Sequence, residues 1–220
     1  VPLTNPAGGS PWNLVGNPYS SYLSFKDFFD GLADYDGTTV GTNNQLDPSF
    51  TAIYGYDADN TDGSKWTIWD FNNTDYATDN ITPGQGFFLR SKTGGGTATF
   101  VPDMRRVGTT DDFISGRTSS PNFAQIGLTL NSSSASYMTH LYFRDFNTLG
   151  LDPGFDTGAY SQTASGIFTH LIEDNNGIQM SKQSLPYSNL SNIQIPLVVN
   201  SNQGVQISFS LDVITNLPSN

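Results

Sequence analysis

A short acidic run in the first third of the chain has the residue types that bind calcium. Asp57, Asp59 and Asp62 supply carboxylates at nearly alternate positions, with Asn60 between them and Gly63 directly after. Calcium prefers hard oxygen ligands arranged around a tight turn. The spacing departs from an EF-hand loop, because the glycine is seventh instead of sixth and no glutamate follows at the twelfth position. The run therefore predicts either a calcium site or a solvated hairpin tip.

Large aromatic side chains flank this acidic run on both sides. Tyr54 and Tyr56 precede it, and Trp66 and Trp69 follow it. Tyrosine and tryptophan rings present an apolar face that stacks on sugar rings and a polar tip that forms hydrogen bonds. If the flanking segments alternate as strands, the four rings cannot all face inward, so we expect at least one or two of them in solvent. These four residues are the predicted ligand-binding residues; the alternative is that the core buries them.

Groups suited to catalysis are scarce. The chain has no cysteine and only two histidines, His140 and His170, each within a candidate strand. The motifs of zinc proteases, serine hydrolases and P-loop proteins do not occur. Carboxylates are abundant, and a glycosidase needs only two of them about 5 to 10 Å apart. Most of them, however, stand beside Gly, Thr or Asn in turns. We predict no enzyme and no required cofactor, with calcium as the candidate ion.

The elements that position these residues are mostly strands. Thr51 to Tyr56 and Lys65 to Phe71 alternate around the acidic run and predict an aromatic hairpin. Gly86 to Ser91 and Thr97 to Val101 flank a glycine-rich turn and predict a second hairpin. Further strand signals follow at Gln125 to Leu130, Tyr137 to Phe143, Ile167 to Leu171, Gln179 to Lys182, Ile193 to Val199 and Val205 to Leu211.

One segment has helical periodicity. Between Leu23 and Leu32, apolar residues recur at helical spacing after Ser24, a good N-cap, and Gly31 is expected to shorten the helix to about residues 24–31. The predicted fold class is therefore all-β, a jelly-roll-like β-sandwich over residues 1–220 with one short helix. Two β lobes, 1–105 and 122–220, joined by the polar linker between them, are the alternative.

Composition excludes several classes of partner. Nine Lys and Arg against twenty Asp and Glu give a net charge of −11, which repels a phosphate backbone. We therefore predict no nucleic-acid partner. No apolar run approaches the roughly 18 to 20 residues of a spanning helix, so we predict no membrane span. A chain of 220 residues can bury a core without disulfides.

Three segments resemble a recurring region of secreted and surface proteins of Bacteroidota that use type IX secretion. They are WNLVGNPYSSYL from Trp12 to Leu23, ITPGQGFFL from Ile81 to Leu89, and LGLDPGFDTGAYS from Leu149 to Ser161. In such proteins this region often precedes the C-terminal sorting domain. The resemblance implies a secreted or cell-surface location and covalent linkage to other domains of a parent protein. Glycine and proline in these motifs indicate backbone geometry before activity.

These observations favour a non-catalytic carbohydrate-binding module that recognises an extracellular polysaccharide. The alternative is a structural or adhesive spacer within a type IX secretion cargo protein or surface adhesin. A polysaccharide hydrolase or lyase is the third hypothesis, and it depends only on the abundance of carboxylates.

Overall fold

The computed structural model describes residues 1–72, 76–109, 123–188 and 193–216. By its internal contacts the chain divides into two compact units. Unit 1 comprises Val1–Tyr56 and Thr67–Ser119, and unit 2 comprises Asp57–Trp66 and Ser120–Asn220. The tip of the predicted aromatic hairpin therefore belongs to unit 2, while most of its two strands belong to unit 1.

Within the described residues, unit 1 carries small sheets and one α-helix. Its elements are β1 (Pro2–Leu3), β2 (Trp12–Gly16), β3 (Tyr22–Ser24), α1 (Phe25–Ala33), β4 (Ile53–Tyr56), β5 (Trp66–Trp69), β6 (Asn80–Ile81), β7 (Gly86–Arg90), β8 (Gly96–Thr97) and β9 (Arg105–Arg106), with 3₁₀ turns at Pro48–Phe50 and Pro102–Met104. The first residue of β5, Trp66, belongs to unit 2. The strand orders are β2-β7-β4-β5, β6-β3-β9 and β1-β8. The predicted hairpin is thus confirmed as the neighbouring strands β4 and β5.

The first two sequence motifs lie side by side in unit 1. β2, from the first motif, runs antiparallel to β7, from the second, with Val15 opposite Phe87. The turn before β7 contains Gly84 at φ +71°, a left-handed conformation that glycine adopts without steric cost. Two segments distant in sequence therefore form one piece of sheet.

The side chain of Asn17 fastens these motifs together. Its amide nitrogen donates to the backbone carbonyls of Ser21, Ile81 and Thr82 at 2.9, 3.2 and 3.1 Å. Its carbonyl oxygen accepts from the backbone N–H of Tyr19 at 3.0 Å. The bonds to Ile81 and Thr82 are buried and those with Ser21 and Tyr19 are partly buried, so the Asn17 side chain satisfies backbone groups that water reaches poorly; its two N–H groups are shared among the three carbonyls. The motif asparagine thus has a structural role.

The helix α1 begins where the sequence predicts. The Ser24 hydroxyl accepts from the backbone N–H of Asp27 at 3.2 Å, which is an N-cap bond. The expected end is wrong, because the helix passes Gly31 and continues to Ala33. Leu32 and Ala33 are fully buried, and their burial offsets the roughly 1 kcal/mol that glycine costs inside a helix.

Aromatic rings fill the core of unit 1. Phe28 stacks on Phe100 with ring centroids 4.8 Å apart and meets Phe87 edge-on at 5.7 Å. Phe25 stacks on Phe29 at 5.1 Å on the same helix. Such ring pairs contribute about 0.5 to 1.5 kcal/mol each beyond the burial of their area.

The second predicted hairpin is wrong. β7 pairs with β2 and β4, and the residues after the glycine run turn instead toward the N-terminus, where β8 pairs with β1. Gly94 and Gly95 both have positive φ, at 84° and 89°, and they redirect the chain. Ala98 then donates its backbone N–H to the carbonyl of Val1 at 2.8 Å.

Unit 2 is built on a seven-stranded sheet. Its strands are β10 (Ala124–Ser132), β11 (Ser136–Arg144), β12 (Thr157–Gly158), β13 (Gly166–Thr169), β14 (Met180–Pro186), β15 (Leu197–Asn200) and β16 (Ile207–Thr215). The order is β15-β13-β14-β11-β10-β16, with β12 beside β14. β11 and β14 are parallel, and the other described pairs are antiparallel. Six of these strands correspond to the strands predicted for the second half of the chain.

The two faces of this sheet differ in the side chains that they bury. One face holds an apolar cluster of Ala124, Leu141, Phe143 and Leu185. Alternation places polar residues on the other face, where Gln125, Lys182 and Ser184 are also buried. Two buried polar residues interrupt the apolar face: Thr139, which donates to the Ser181 carbonyl at 3.1 Å, and Gln183, whose side-chain amide has no hydrogen-bond partner in the described chain.

The prediction of an all-β fold with one short helix is confirmed for the described residues. The predicted linker begins inside a strand, because Arg105–Arg106 is β9, and residues 110–122 lie outside the described chain. None of the described helices has both the length and the apolar character needed to cross a membrane.

Candidate ligand-binding site

Two of the four predicted aromatic binding residues are part of the core. Tyr54 is fully buried, and Trp12 packs edge-on against its ring with centroids 4.7 Å apart. Burial raises the pKa of the Tyr54 hydroxyl well above its usual value. Trp69 is buried against Phe25 at 4.9 Å. The assignment of Tyr54 and Trp69 as ligand-binding residues is therefore wrong, because β4 is an inner strand and α1 covers Trp69.

The other two predicted residues are accessible to different degrees. Tyr56, at the end of β4, exposes 58% of its surface. Trp66 is half-buried in unit 2, where its ring stacks on that of Tyr160 with centroids 3.7 Å apart and planes 17° from parallel. Burial raises the pKa of Tyr160. The aromatic pair, Trp66 and Tyr160, is the candidate stacking surface of unit 2.

Sequence reasoning missed Tyr160. No spacing connects it to Trp66, because the two residues lie in distant segments that only the fold of unit 2 brings together. The one available signal was its position near the end of the LGLDPGFDTGAYS motif.

The acidic tip of the hairpin uses its side chains to cap its own backbone. The Asp57 carboxylate accepts from the backbone N–H of Asp59 at 2.9 Å, and Asn60 accepts from that of Asp62 at 2.9 Å. Asp62 accepts from Ser64 at 2.7 Å through one oxygen. These are local turn bonds of the kind that aspartate and asparagine commonly form.

The second oxygen of Asp62 fixes the tip to the sheet of unit 2. It accepts from the backbone N–H of Met138 at 2.9 Å, and Gly63 donates its N–H to the Ser136 carbonyl at 2.7 Å. A Cβ at Gly63 would lie 2.5 Å from the Tyr137 ring, so the position needs glycine for close approach. The glycine that suggested a calcium loop therefore has a packing role.

The structure does not gather the predicted metal ligands. Among the described residues, no three Asp, Glu, His or Cys side chains form a group that could hold a metal ion. Calcium binding by Asp57, Asp59 and Asp62 stays a prediction. A melting temperature unchanged by millimolar calcium would remove it.

A shallow polar cleft of about 410 Å³ lies elsewhere in unit 2. It is formed by the loop before β13 and by the end of β15. Its lining residues are uncharged and, apart from one valine, polar: Gln162, Thr163, Ser165, Val199, Asn200, Ser201 and Asn202. Side-chain amides and hydroxyls thus dominate the cleft.

Two of these residues hold the walls of the cleft in place. Gln162 donates to the carbonyls of Ala159 and Gln179 at 2.9 and 3.2 Å, and it accepts from the Gln179 N–H at 2.7 Å. Asn200 donates to the Ala164 carbonyl at 3.1 Å and to the Gln179 side chain at 2.9 Å. Gln162 and Asn200, on opposite walls of the cleft, are therefore both hydrogen-bonded to Gln179, the residue before β14.

Other lining side chains are available to a ligand. Those of Thr163, Ser165, Ser201 and Asn202 have no hydrogen-bond partner within the described part of the chain. Each can donate and accept hydrogen bonds. The cleft therefore combines fixed walls with free polar groups, an arrangement suited to binding a neutral polar molecule.

The chain matches a family model over almost its whole length. Residues 4–217 match the model of a family described as a domain of unknown function (DUF8693). The chain belongs to this family. The DUF8693 match includes both units, and so includes the aromatic pair and the polar cleft.

The DUF8693 match carries no assigned activity. No curated protein and no solved structure matches the chain significantly.

Proposed function

We propose that this chain is a non-catalytic carbohydrate-binding domain and that unit 2 binds a neutral segment of an extracellular polysaccharide. The observation that carries the proposal is the polar cleft, whose free hydroxyl and amide groups match the hydroxyl groups of a sugar. Its volume of about 410 Å³ falls within the usual range of small-molecule sites.

The aromatic pair supplies a second element of sugar recognition. Tyr160 lies two residues before Gln162, so their Cα atoms are at most about 7 Å apart. Aromatic faces stack on the C–H faces of sugar rings, and the tyrosine hydroxyl adds a polar tip. A chain of sugars has the length to reach from the cleft to the aromatic pair.

Charge narrows the class of polysaccharide. The chain carries a net charge of −11, and the cleft contains no cationic side chain. Uronic-acid or sulfated polysaccharides would be repelled and would find no counter-charge there. The proposed ligand is therefore a neutral glycan.

The expected affinity is low for one site. Aromatic contacts of about 1 kcal/mol each and a few hydrogen bonds of about 1 kcal/mol each give roughly −4 to −5 kcal/mol, which corresponds to a dissociation constant near 1 mM. Such an affinity suits a domain that acts with other binding domains on one polymer. A secreted or cell-surface parent protein, which the resemblance implies, would provide that setting.

NMR titration of the 220-residue chain with neutral oligosaccharides of glucose, xylose and mannose tests the proposal. Replacing Thr163 and Asn202 together by alanine removes two free polar groups and should weaken binding at least about tenfold. Gln203→Ala is the matched control, because Gln203 adjoins Asn202 but does not line the cleft. Its affinity should stay within about twofold of the parent.

Two outcomes would reject this function. One is the absence of chemical-shift changes with every neutral glycan tested. The other is binding that depends on the exposed Tyr56 in unit 1 and is indifferent to the cleft substitutions in unit 2.

A structural spacer is the second candidate, and the motif residues favour it. In the first motif, the side-chain amide of Asn17 donates to backbone carbonyls. In the third motif, the Asp156 carboxylate accepts from the backbone N–H groups of Ser184 and Asp152 at 2.7 and 2.6 Å. These motif side chains maintain backbone geometry. Deleting the domain from its parent protein distinguishes the candidates: retained secretion and full glycan binding support a spacer, whereas lost binding supports a carbohydrate-binding domain.

A further inference from the structure

The last strand of unit 2 is an edge strand of unusual composition. β16 pairs with β10 and ends the strand order, so no described strand covers its other side. Natural edge strands are commonly protected by charged residues (especially lysine), by proline, by a β-bulge or by very short length. β16 has nine residues and contains neither lysine nor proline, and its bulge and its one charged residue, Asp212, lie beyond Leu211, so neither protects the part from Ile207 to Leu211.

Apolar side chains on β16 are exposed. Phe209 exposes 52% of its surface and Leu211 exposes 61%. In the register with β10 they lie opposite Leu130 and Leu128, so they extend the apolar face of the sheet to its edge. The register with β10 shifts just beyond Leu211, which leaves Ile207 to Leu211 as the regular part of the strand.

This regular part reads ISFSL and is nearly palindromic about its central phenylalanine. We propose that β16 is a dimerisation strand that pairs antiparallel with β16 of a second copy of this chain, about a two-fold axis at Phe209. Phe209 then faces Phe209 of the second copy. Ile207 faces Leu211, and Ser208 faces Ser210, so apolar residues meet apolar residues and hydroxyls meet hydroxyls.

The same register keeps like charges apart. The one charged residue of β16, Asp212, falls opposite Gln206 of the second copy instead of opposite Asp212. The two Asp212 residues are six positions apart along the paired strands, about 20 Å at the rise of a strand. That distance exceeds the roughly 8 Å over which charges interact at physiological ionic strength. β16 itself therefore places no like charges opposite each other in this dimer.

The other edge of the sheet does not offer a comparable partner. β15 has four residues, LVVN, and follows Pro196, which donates no hydrogen bond to a neighbouring strand. Pairing of β15 with β16 of another copy would also be heterologous and would leave free edges that propagate. Pairing of β16 with itself closes in a dimer.

Sedimentation velocity from about 1 to about 300 µM protein tests the proposal. We expect a concentration-dependent monomer–dimer equilibrium with no larger species. Phe209→Lys places two ammonium groups opposite each other at the axis and should leave a monomer across the whole range. Leu197→Lys, at an equally exposed apolar position on β15, is the matched control and should dimerise as the parent does.

A cross-linking experiment locates the axis without a charged substitution. Because the chain has no cysteine, Phe209→Cys introduces a single thiol. Mild oxidation should join two copies of this variant, since directly opposite residues have Cβ atoms about 4.5 to 5.5 Å apart, and a small shift of the two strands brings them to the roughly 3.5 to 4.5 Å of a disulfide. Leu197→Cys should give no covalent dimer.

Three results would overturn the proposal. They are a parent chain that stays monomeric at every concentration, open-ended oligomers instead of dimers, and a dimer that Leu197→Lys abolishes while Phe209→Lys, folded by circular dichroism, retains it.

Discussion

Units 1 and 2 bury different kinds of side chain. Unit 1 encloses rings, with Phe28 between Phe100 and Phe87 and with Tyr54 and Trp69 fully covered. Unit 2 has an apolar cluster on one face of its sheet but buries polar groups on the other, and its polar cleft opens beyond β15. Aromatic content in this chain therefore indicates the core of unit 1 better than it indicates a binding surface.

The hairpin that links the two units along the chain illustrates the difference. Its strand residues Tyr54 and Trp69 belong to the core of unit 1, whereas its tip is fixed in unit 2 by Asp62 and Gly63. Only Trp66 joins a candidate binding site, and it does so through Tyr160. The aromatic residues of this one hairpin thus have two structural roles: Tyr54 and Trp69 fill the core of unit 1, and Trp66 stacks on Tyr160 in unit 2.

The largest expected effect is the loss of a ring from the core of unit 1. Phe28→Ala removes two ring contacts and leaves a cavity, which should lower the free energy of unfolding by about 3 to 5 kcal/mol. Tyr56→Ala, at an exposed ring, should change it by less than about 0.5 kcal/mol. Hydrogen exchange followed by mass spectrometry assigns each loss to a unit. Equal effects of the two substitutions would contradict an aromatic core in unit 1.

The next effect concerns the hydrogen bonds by which the Asn17 side chain joins the first two motifs. Asn17→Ala leaves three backbone carbonyls without their side-chain donor and should cost about 1 to 3 kcal/mol. Asn202→Ala is the control, since its side chain is exposed and has no partner in the described chain. Urea denaturation measures both variants. If Asn17→Ala lowers the free energy of unfolding no more than Asn202→Ala does, the hydrogen bonds of Asn17 contribute nothing to stability.

A smaller effect of opposite sign is expected in unit 2. Gln183→Leu removes from the apolar face a buried amide that has no partner among the described residues, and it should raise the free energy of unfolding by about 1 to 2 kcal/mol. Gln203→Leu, on the surface, should leave it nearly unchanged. Urea denaturation again gives the difference, and destabilisation by Gln183→Leu would show that the amide has a structural partner.

The smallest effect is electrostatic and lies in unit 1. Backbone N–H groups of Thr39 and Thr38 donate to the Asp36 carboxylate and lower its pKa to about 2. Its stabilising contribution is therefore present above the unfolded pKa of about 3.9 and is lost as the pH falls through about 2. For the nearby Asp30, burial raises the pKa despite Lys26. An NMR titration of the carboxyl carbons should separate the two groups, and coincident midpoints near 4 would contradict both shifts.

Local patterns predicted the elements well and their partners poorly. Ser24 and the helical spacing after it located α1, alternation located β4 and β5, and strand signals between polar turns located six of the seven strands of unit 2, whereas β12 was missed. Alternation cannot state which strands become neighbours, so the hairpin after Gly86 was wrongly paired and β7 instead joins β2. The end of α1 was also missed, because burial of Leu32 and Ala33 outweighs the local preference of Gly31.

The candidate site was predictable only in part. Trp66 was identified because aromatic residues flanked a turn, but Tyr160 and the polar cleft depend on contacts between segments that are far apart in sequence. Polar residues such as Asn202 and Thr163 are common throughout this chain, so their types gave no signal.

The sequence by itself determined an acidic, cysteine-free, all-β chain whose glycine and asparagine motifs maintain backbone geometry, because composition, period and turn chemistry are local properties. The tertiary structure decided which rings are buried, that the tip of the hairpin belongs to unit 2, and that a polar cleft and an apolar edge strand lie in the same sheet. Burial and strand neighbours depend on long-range packing, which no local pattern encodes.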